Sequence, residues 1–346
     1  MAQQGYTYGD PLTARPWTAA DGSRAISFFI FNTDVHVHAY ASAEVADPAL
    51  LALRDRCVFF EHALSRTRSD SDIARAHAAS PEPVAIAPET AELVRLALGY
   101  CERSQGLFDI TMGTVTSLWN FHTGVVPSKL ALSRALPHVG YRNIALGSVS
   151  AGAPTLAITD PETVLDLGGV AKGYIADDLA AGLVAHGVDR FVINLGGNVL
   201  VRGGRPADET SLPPVHAGDP WRIGIQNPLD EAHSRAIVEV RDGSVVTSGV
   251  AERRFTRGGV TYHHILDPKT GMPAQTDVAS ATIVAACSLD CDGWSTTALM
   301  LGAERAIDFI EGISGVEAVI ITDRDEVLWT EGMAERLSLV PTLPRL

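Results

Sequence analysis

Several residues in this chain have types and spacing suited to chemistry. Asp292 and Thr296 lie four apart in Asp290-Cys-Asp-Gly-Trp-Ser-Thr-Thr-Ala-Leu-Met-Leu-Gly302, which reads as a helix start with an acidic first turn. On a helix their oxygens share one face, about 6 Å apart along the axis. A carboxylate with a hydroxyl suits Mg²⁺, which takes hard oxygen ligands and completes its shell with waters and substrate phosphates; the same pattern is common at helix starts that bind no metal. His264 immediately precedes Ile265-Leu-Asp-Pro-Lys-Thr-Gly271, a turn sequence that fixes the backbone behind the imidazole. So held, the ring can take a proton from an attacking hydroxyl, or it can serve as a structural hydrogen-bonder. His263 points the other way if the segment is extended, so one of the pair faces a site. Asp109, between apolar neighbours in Ser104-Gln-Gly-Leu-Phe-Asp-Ile-Thr-Met-Gly113, is either a buried functional carboxylate or a turn cap.

The element that must position such groups is Val164-Leu-Asp-Leu-Gly-Gly-Val-Ala-Lys-Gly-Tyr174. It runs into a helical pattern with apolar residues at Ile175, Leu179 and Leu183, stopped by Gly187, and then into Phe191-Val-Ile-Asn-Leu-Gly-Gly197. An extended segment thus delivers Gly168, Gly169 and Lys172 to a helix start. Free N–H groups, the positive dipole end and close backbone approach make that a seat for an anion, phosphate first. The spacing fits neither the P-loop nor the dinucleotide glycine pattern, and a tight strand-to-helix turn with a surface lysine is the plainer alternative.

Around this stretch the chain reads as α+β. Ile26–Phe31 and Val35, Val37 and Ala39 read as strands, Leu50–Leu64 as a helix, and Pro88 opens another with Leu93, Ala97 and Tyr100 on its face. Ile144–Leu146 and Leu156–Ile158 form an expected hairpin, and 202–220 a Gly/Pro-rich surface loop. Strand patterns follow at 221–225, 237–240, 245–247, 281–285, 316–321 and 327–329. Strands outnumber helices without regular βαβ alternation, so the expected architecture is mixed, largely antiparallel sheets with flanking helices. Residues 1–22 read as a polar N-terminal tail and 23–340 as one domain.

The 346 residues are 46% hydrophobic and 20% charged, with a net charge of −14. That balance excludes nucleic acid as main partner, since phosphate backbones are held by clustered Lys and Arg. The chain shows no export signal and no run of about 18 apolar residues, so no membrane segment is expected and the location reads as cytoplasmic. Cys57, Cys101, Cys287 and Cys291 read as buried thiols rather than a zinc site, because Cys-x-x-x-Cys is one residue too wide and has no second pair.

Together the motifs resemble the ApbE family, the FAD:protein FMN transferases, over about residues 25–330. The matching pieces are 104–111, Leu118-Trp-Asn-Phe121, 166–174, Asn194-Leu-Gly-Gly-Asn198, Thr247-Ser-Gly249, 264–271 and Asp292-x-x-x-Thr296. The resemblance implies an ApbE-like flavin transferase fold and a Mg²⁺-dependent transfer of the FMN moiety of FAD to a threonine hydroxyl of an acceptor protein, with release of AMP. It implies that Asp292, Thr296 and the Gly169 carbonyl bind metal and that His264 is catalytic. Leu107, Phe108, Asp109, Asp166, Lys172, Thr247, Ser248, Gly249 and Ile265 would bind FAD. The chain departs from the family pattern at Phe31-Asn-Thr33, in place of Met-Gly-Thr, and at Leu64-Ser-Arg-Thr67, where many members place an aromatic. Two alternatives share the same site: a Mg²⁺-dependent FAD pyrophosphatase giving FMN and AMP, and a non-catalytic FAD-binding protein.

Overall fold

Period-two alternation of apolar side chains builds the centre of the molecule. In the computed structural model, which describes residues 11–148, 152–211 and 214–341, nine strands form a sheet whose spatial order follows the chain: Trp17–Thr18, Arg24–Ile30, Thr33–Ala39, Phe191–Leu195, Asn198–Arg202, Gly243–Gly249, Val278–Ala285, Val316–Thr322 and Val327–Trp329. Every neighbouring pair is antiparallel. Successive residues face opposite sides, so Val246, Ile283 and Ile320 enter a core under helices while Val245, Val284 and Val319 enter a second core. That second core is closed by a three-stranded sheet of Trp221–Asn227, Asp230–Val240 and Leu337–Leu339, through Ile225, Ala236 and Val238. The α+β architecture with largely antiparallel sheets is the one expected.

The helices occupy the long connections. Ala43–Leu64 and Ala171–Ala185 cover the first strands, with Leu50, Leu53, Phe60, Ile175, Leu179 and Leu183 all in the core. Pro88–Arg103, Ser288–Leu301 and Ala303–Glu311 build the other helical core around Leu93, Trp294 and Ile310. Two expectations are corrected. The helix expected at 50–64 starts at Ala43, because Ala46 and Ala49 bury their small faces and the Ala46 N–H reaches the Ser42 carbonyl at 2.8 Å. Phe31 is not strand: with Asn32 it forms the two-residue turn to Thr33, at φ 56° and 58°, the paired left-handed geometry that matches the twist of a tight hairpin. Of the expected tail, 1–10 lie outside the described residues, and Trp17–Thr18 pairs with Arg24 and Ala25 at the sheet edge.

One contact fixes the helices that matter for function. Gly173, in the first turn of Ala171–Ala185, lies against the start of Ser288–Leu301, where a β-carbon would stand 2.4 Å from the Ser288 carbonyl oxygen and 2.7 Å from the Leu289 Cα. Each helix also lends the other a carboxylate. Asp177 accepts from the Ser288 and Leu289 N–H groups at 2.8 and 2.9 Å, and Asp292 accepts from the Gly173 N–H at 2.6 Å. Both helix starts thereby satisfy donors that have no partner within their own helix, and each places negative charge at the other's positive dipole end. Cys287, half-buried, donates to the same Asp177, and the four cysteines are all free thiols.

Because the neighbours of Gly173 are backbone atoms, which cannot rotate away, Gly173→Ala forces the helices apart. We expect it to cost about 2 kcal/mol or more, read as a lower urea midpoint at unchanged slope; an unchanged midpoint would mean that the contact is slack.

Candidate active site

A cleft of about 1180 Å³, counting its open mouth, is lined by Lys172 and Asp292 from the two helices that Gly173 brings together. It gathers segments far apart in sequence: Leu107, Phe108 and Asp109; Asp166, Gly169 and Lys172; Thr247 and Ser248; His264 and Ile265; Asp292 and Thr296. Of the residues singled out from sequence, Gly249 alone is not on the wall; it ends its strand paired with Ser280.

Each wall has a local cause. Leu107 and Phe108 follow a helix end where Gln105 and Gly106 take positive φ and the Gly106 N–H returns to the Cys101 carbonyl at 2.8 Å. The turn carries Phe108 to Gly169, where its ring edge would stand 2.8 Å from a β-carbon; only glycine lets backbone and ring approach so closely. Asp109 is committed inside the turn. Its Oδ1 accepts from the Thr111 N–H and hydroxyl at 2.8 and 2.6 Å, and its Oδ2 from the Tyr141 N–H at 2.9 Å. It therefore shapes the loop as a turn cap while lining the cleft. Asp166 is similarly engaged, taking the Gly168 N–H at 2.9 Å and an ion pair with Arg66 at 3.0 Å. Arg66 belongs to the stretch that departs from the family pattern.

The opposite wall is built on the sheet. Thr247 meets the Thr282 hydroxyl and Ser248 the Ser295 hydroxyl, each at 2.8 Å, tying the strand end to the strand and helix above it. Asp292 is 4% exposed. Burial raises its pKa, while Lys172, the Gly173 N–H and Asn198 pull it back. A chain of small polar groups stands behind it: Asn198 Nδ2 donates to Asp292 Oδ1 at 3.4 Å, and Ser288 donates to Asn198 Oδ1 at 2.9 Å. Asp292, Thr296 and Gly169 all line the cleft, and a carboxylate, a hydroxyl and a carbonyl are all oxygen donors. Among the described residues no group of three or more His, Cys, Asp or Glu could hold a metal, so a cation here needs waters and a ligand phosphate to complete its shell, which is the habit of Mg²⁺.

His264 faces the cleft and His263 does not. Burial, then the charge of Arg253, pushes the His264 pKa down to about 3. The ring is neutral at physiological pH, with a lone pair free to accept a proton but a proton affinity well below that of an ordinary imidazole. Sequence reasoning missed Glu252 and Arg253, which also line the cleft; their signal was a charged run directly after a strand.

The model of the ApbE family matches residues 31–320. The FAD:protein FMN transferase of Treponema pallidum (strain Nichols) is 38% identical over 286 residues, spanning 81% of this chain and 78% of that protein. The FAD:protein FMN transferase of Klebsiella pneumoniae (strain 342) is 29% identical over 322 residues, 88% of this chain and 96% of that one. Among solved structures, the ApbE protein of Thermotoga maritima msb8 superposes with a TM-score of 0.78 at 26% identity, covering 90% of this chain and 97% of the other.

The His264 shift has a sign that can be tested. With a folded value of about 3 against about 6.5 unfolded, the native state binds fewer protons between those limits. The contribution of this ring is fully present above the unfolded value and is lost as pH falls toward 3. NMR should find the His264 ring still neutral at pH 5, and His264→Gln should flatten the acid limb of stability against pH. A ring that titrates near 6.5 would contradict its burial.

Proposed function

The chain belongs to the ApbE family, and from that premise we propose that it is an FAD:protein FMN transferase that moves the FMN moiety of FAD to a threonine hydroxyl of an acceptor protein and releases AMP. The observation that carries this reading is the convergence of Lys172, Asp292, Thr296 and His264 on one cleft. No helix among the described residues is long and apolar enough to cross a membrane.

The roles follow from the chemistry of each group. Lys172 holds the pyrophosphate by its charge; the free N–H groups expected at this helix start are not available, because Val170 and Ala171 donate to the Leu167 carbonyl, Gly173 to Asp292 and Tyr174 to the Val170 carbonyl. Leu107, Phe108 and Ile265 offer apolar contact to the flavin, with Asp109 and Asp166 shaping their loops and Thr247 and Ser248 offering hydroxyls. Asp292, Thr296 and the Gly169 carbonyl hold Mg²⁺, and the hard, mostly neutral donor set fits it. When bound, the ion offsets negative charge on the pyrophosphate, which lets a chain of net charge −14 hold an anionic dinucleotide. His264, neutral and in the same cleft, receives the proton of the attacking hydroxyl.

Incubation with FAD, Mg²⁺ and a threonine-bearing acceptor should give acid-stable flavin on the acceptor together with AMP. AMP at an undiminished rate without acceptor, with the acceptor unlabelled, would make the protein an FAD pyrophosphatase; FAD left intact throughout would make it a binding protein. Asp292→Asn keeps an oxygen for the Gly173 N–H, so stability should move by only about 1 kcal/mol. Metal-dependent turnover should fall by about 100-fold or more, and Mn²⁺ binding followed by electron paramagnetic resonance should weaken in parallel. Parent-like Mn²⁺ affinity would remove Asp292 from the metal site.

A further inference from the structure

The two nitrogens of His264 differ. Nδ1 is buried without a well-formed hydrogen bond, the Arg253 backbone is the one main-chain group that favours the charged ring, and no carboxylate orients the ring from behind. Nε2 lies 4.0 Å from Oε2 of Glu252, in the turn between Gly243–Gly249 and Arg254–Arg257. The imidazole is inside and the carboxylate outside: side-chain exposure is 17% for His264 and 55% for Glu252. Both line the cleft.

A base in this position has a charge problem. Taking a proton creates an imidazolium that burial and the charges of Arg253, His263 and Lys172 oppose and only the Arg253 backbone favours. The carboxylates on the cleft wall are Asp109, Asp166, Glu252 and Asp292, of which Asp109 and Asp166 are taken by their own turns and Arg66. Asp292 is engaged by the Gly173 N–H and Asn198, on the far helix. Glu252 holds its carboxylate 4.0 Å from Nε2 with the side chain 55% exposed; the cleft still raises its pKa by burial, against Lys172, Arg253 and the Gly249 backbone, and a side-chain rotation of about 1 Å brings it to hydrogen-bond length.

We propose that Glu252 is the proton exit of His264, a positioning residue that pairs with the imidazolium formed at Nε2 and passes its proton to solvent. The inference rests on the transferase reading. The threonine oxygen forms a bond to the FMN-side phosphorus as the bridging P–O bond breaks, and AMP leaves with the bridging oxygen. The hydroxyl proton moves to Nε2, from there to the Glu252 carboxylate, and then to water, which returns both side chains to their starting state. Without Glu252 the imidazolium must form against burial and positive neighbours with no carboxylate beside Nε2 to meet it, so the proton-transfer step itself slows.

The test compares the parent chain with Glu252→Gln and Glu252→Asp, using FAD, Mg²⁺ and acceptor, over a series of acetate concentrations at fixed pH and ionic strength. For Glu252→Gln, kcat should fall roughly 10- to 100-fold with the KM for FAD unchanged. Its rate should climb with acetate, which the parent's does not, and Glu252→Asp should recover most of the activity. Parent-like turnover in Glu252→Gln, or slow turnover indifferent to acetate, overturns the proton exit while leaving the transferase reading intact. A parent that transfers no FMN brings both down together.

Discussion

The site depends on one approach of backbone to backbone, Gly173 against Ser288 and Leu289. It brings two helix starts together, and both need acceptors for their leading N–H groups. The exchange of Asp177 and Asp292 answers that need reciprocally, at distances between 2.6 and 2.9 Å. The same exchange places a buried carboxylate one helical turn from Thr296 and beside the Gly168-Gly169 turn. Asp292 is thus both a structural cap and a candidate metal ligand. A carboxylate this buried is costly to ionise, which the raised pKa expresses, and a cation in the cleft would relieve that cost.

The sheet explains why distant motifs meet. Its strands keep chain order, so each long connection must leave and return beside its own strand. The connection between Thr33–Ala39 and Phe191–Leu195 carries the Phe108 turn, the glycine turn and Lys172. Those between Gly243–Gly249 and Val278–Ala285, and between Val278–Ala285 and Val316–Thr322, carry His264 and Asp292. Three excursions over neighbouring strands converge on one cleft without any crossing of the sheet.

What could be read from the sequence was what local pattern encodes. Period-two runs located the central strands, the four-residue spacing of Ile175, Leu179 and Leu183 located a buried helix face, and Asp292 with Thr296 fell on one wall of the cleft. What could not be read was set by partners far along the chain. Asp109 looked equally like a functional acid and a turn cap, and only the Tyr141 N–H, 32 residues away, decides that both of its oxygens are occupied. Phe31 carries a strand-forming side chain but sits where the hairpin needs left-handed backbone, so tertiary context overrides propensity. Glu252 has no motif of its own; its meaning comes from its distance to a ring that folding buries.

The electrostatics of the cleft then follow from which carboxylates are already spoken for. Asp109 and Asp166 accept from backbone donors, a hydroxyl and Arg66, and Asp292 accepts from Gly173 and Asn198. Their charge is therefore partly offset within the protein before any ligand arrives. Lys172 and Arg253 stand on the same cleft wall as these carboxylates. The same positive groups that would welcome a pyrophosphate depress the proton affinity of His264. A site built to hold an anion is a poor place to leave a proton, which is why an exposed carboxylate at 4.0 Å from the imidazole is more than a surface residue.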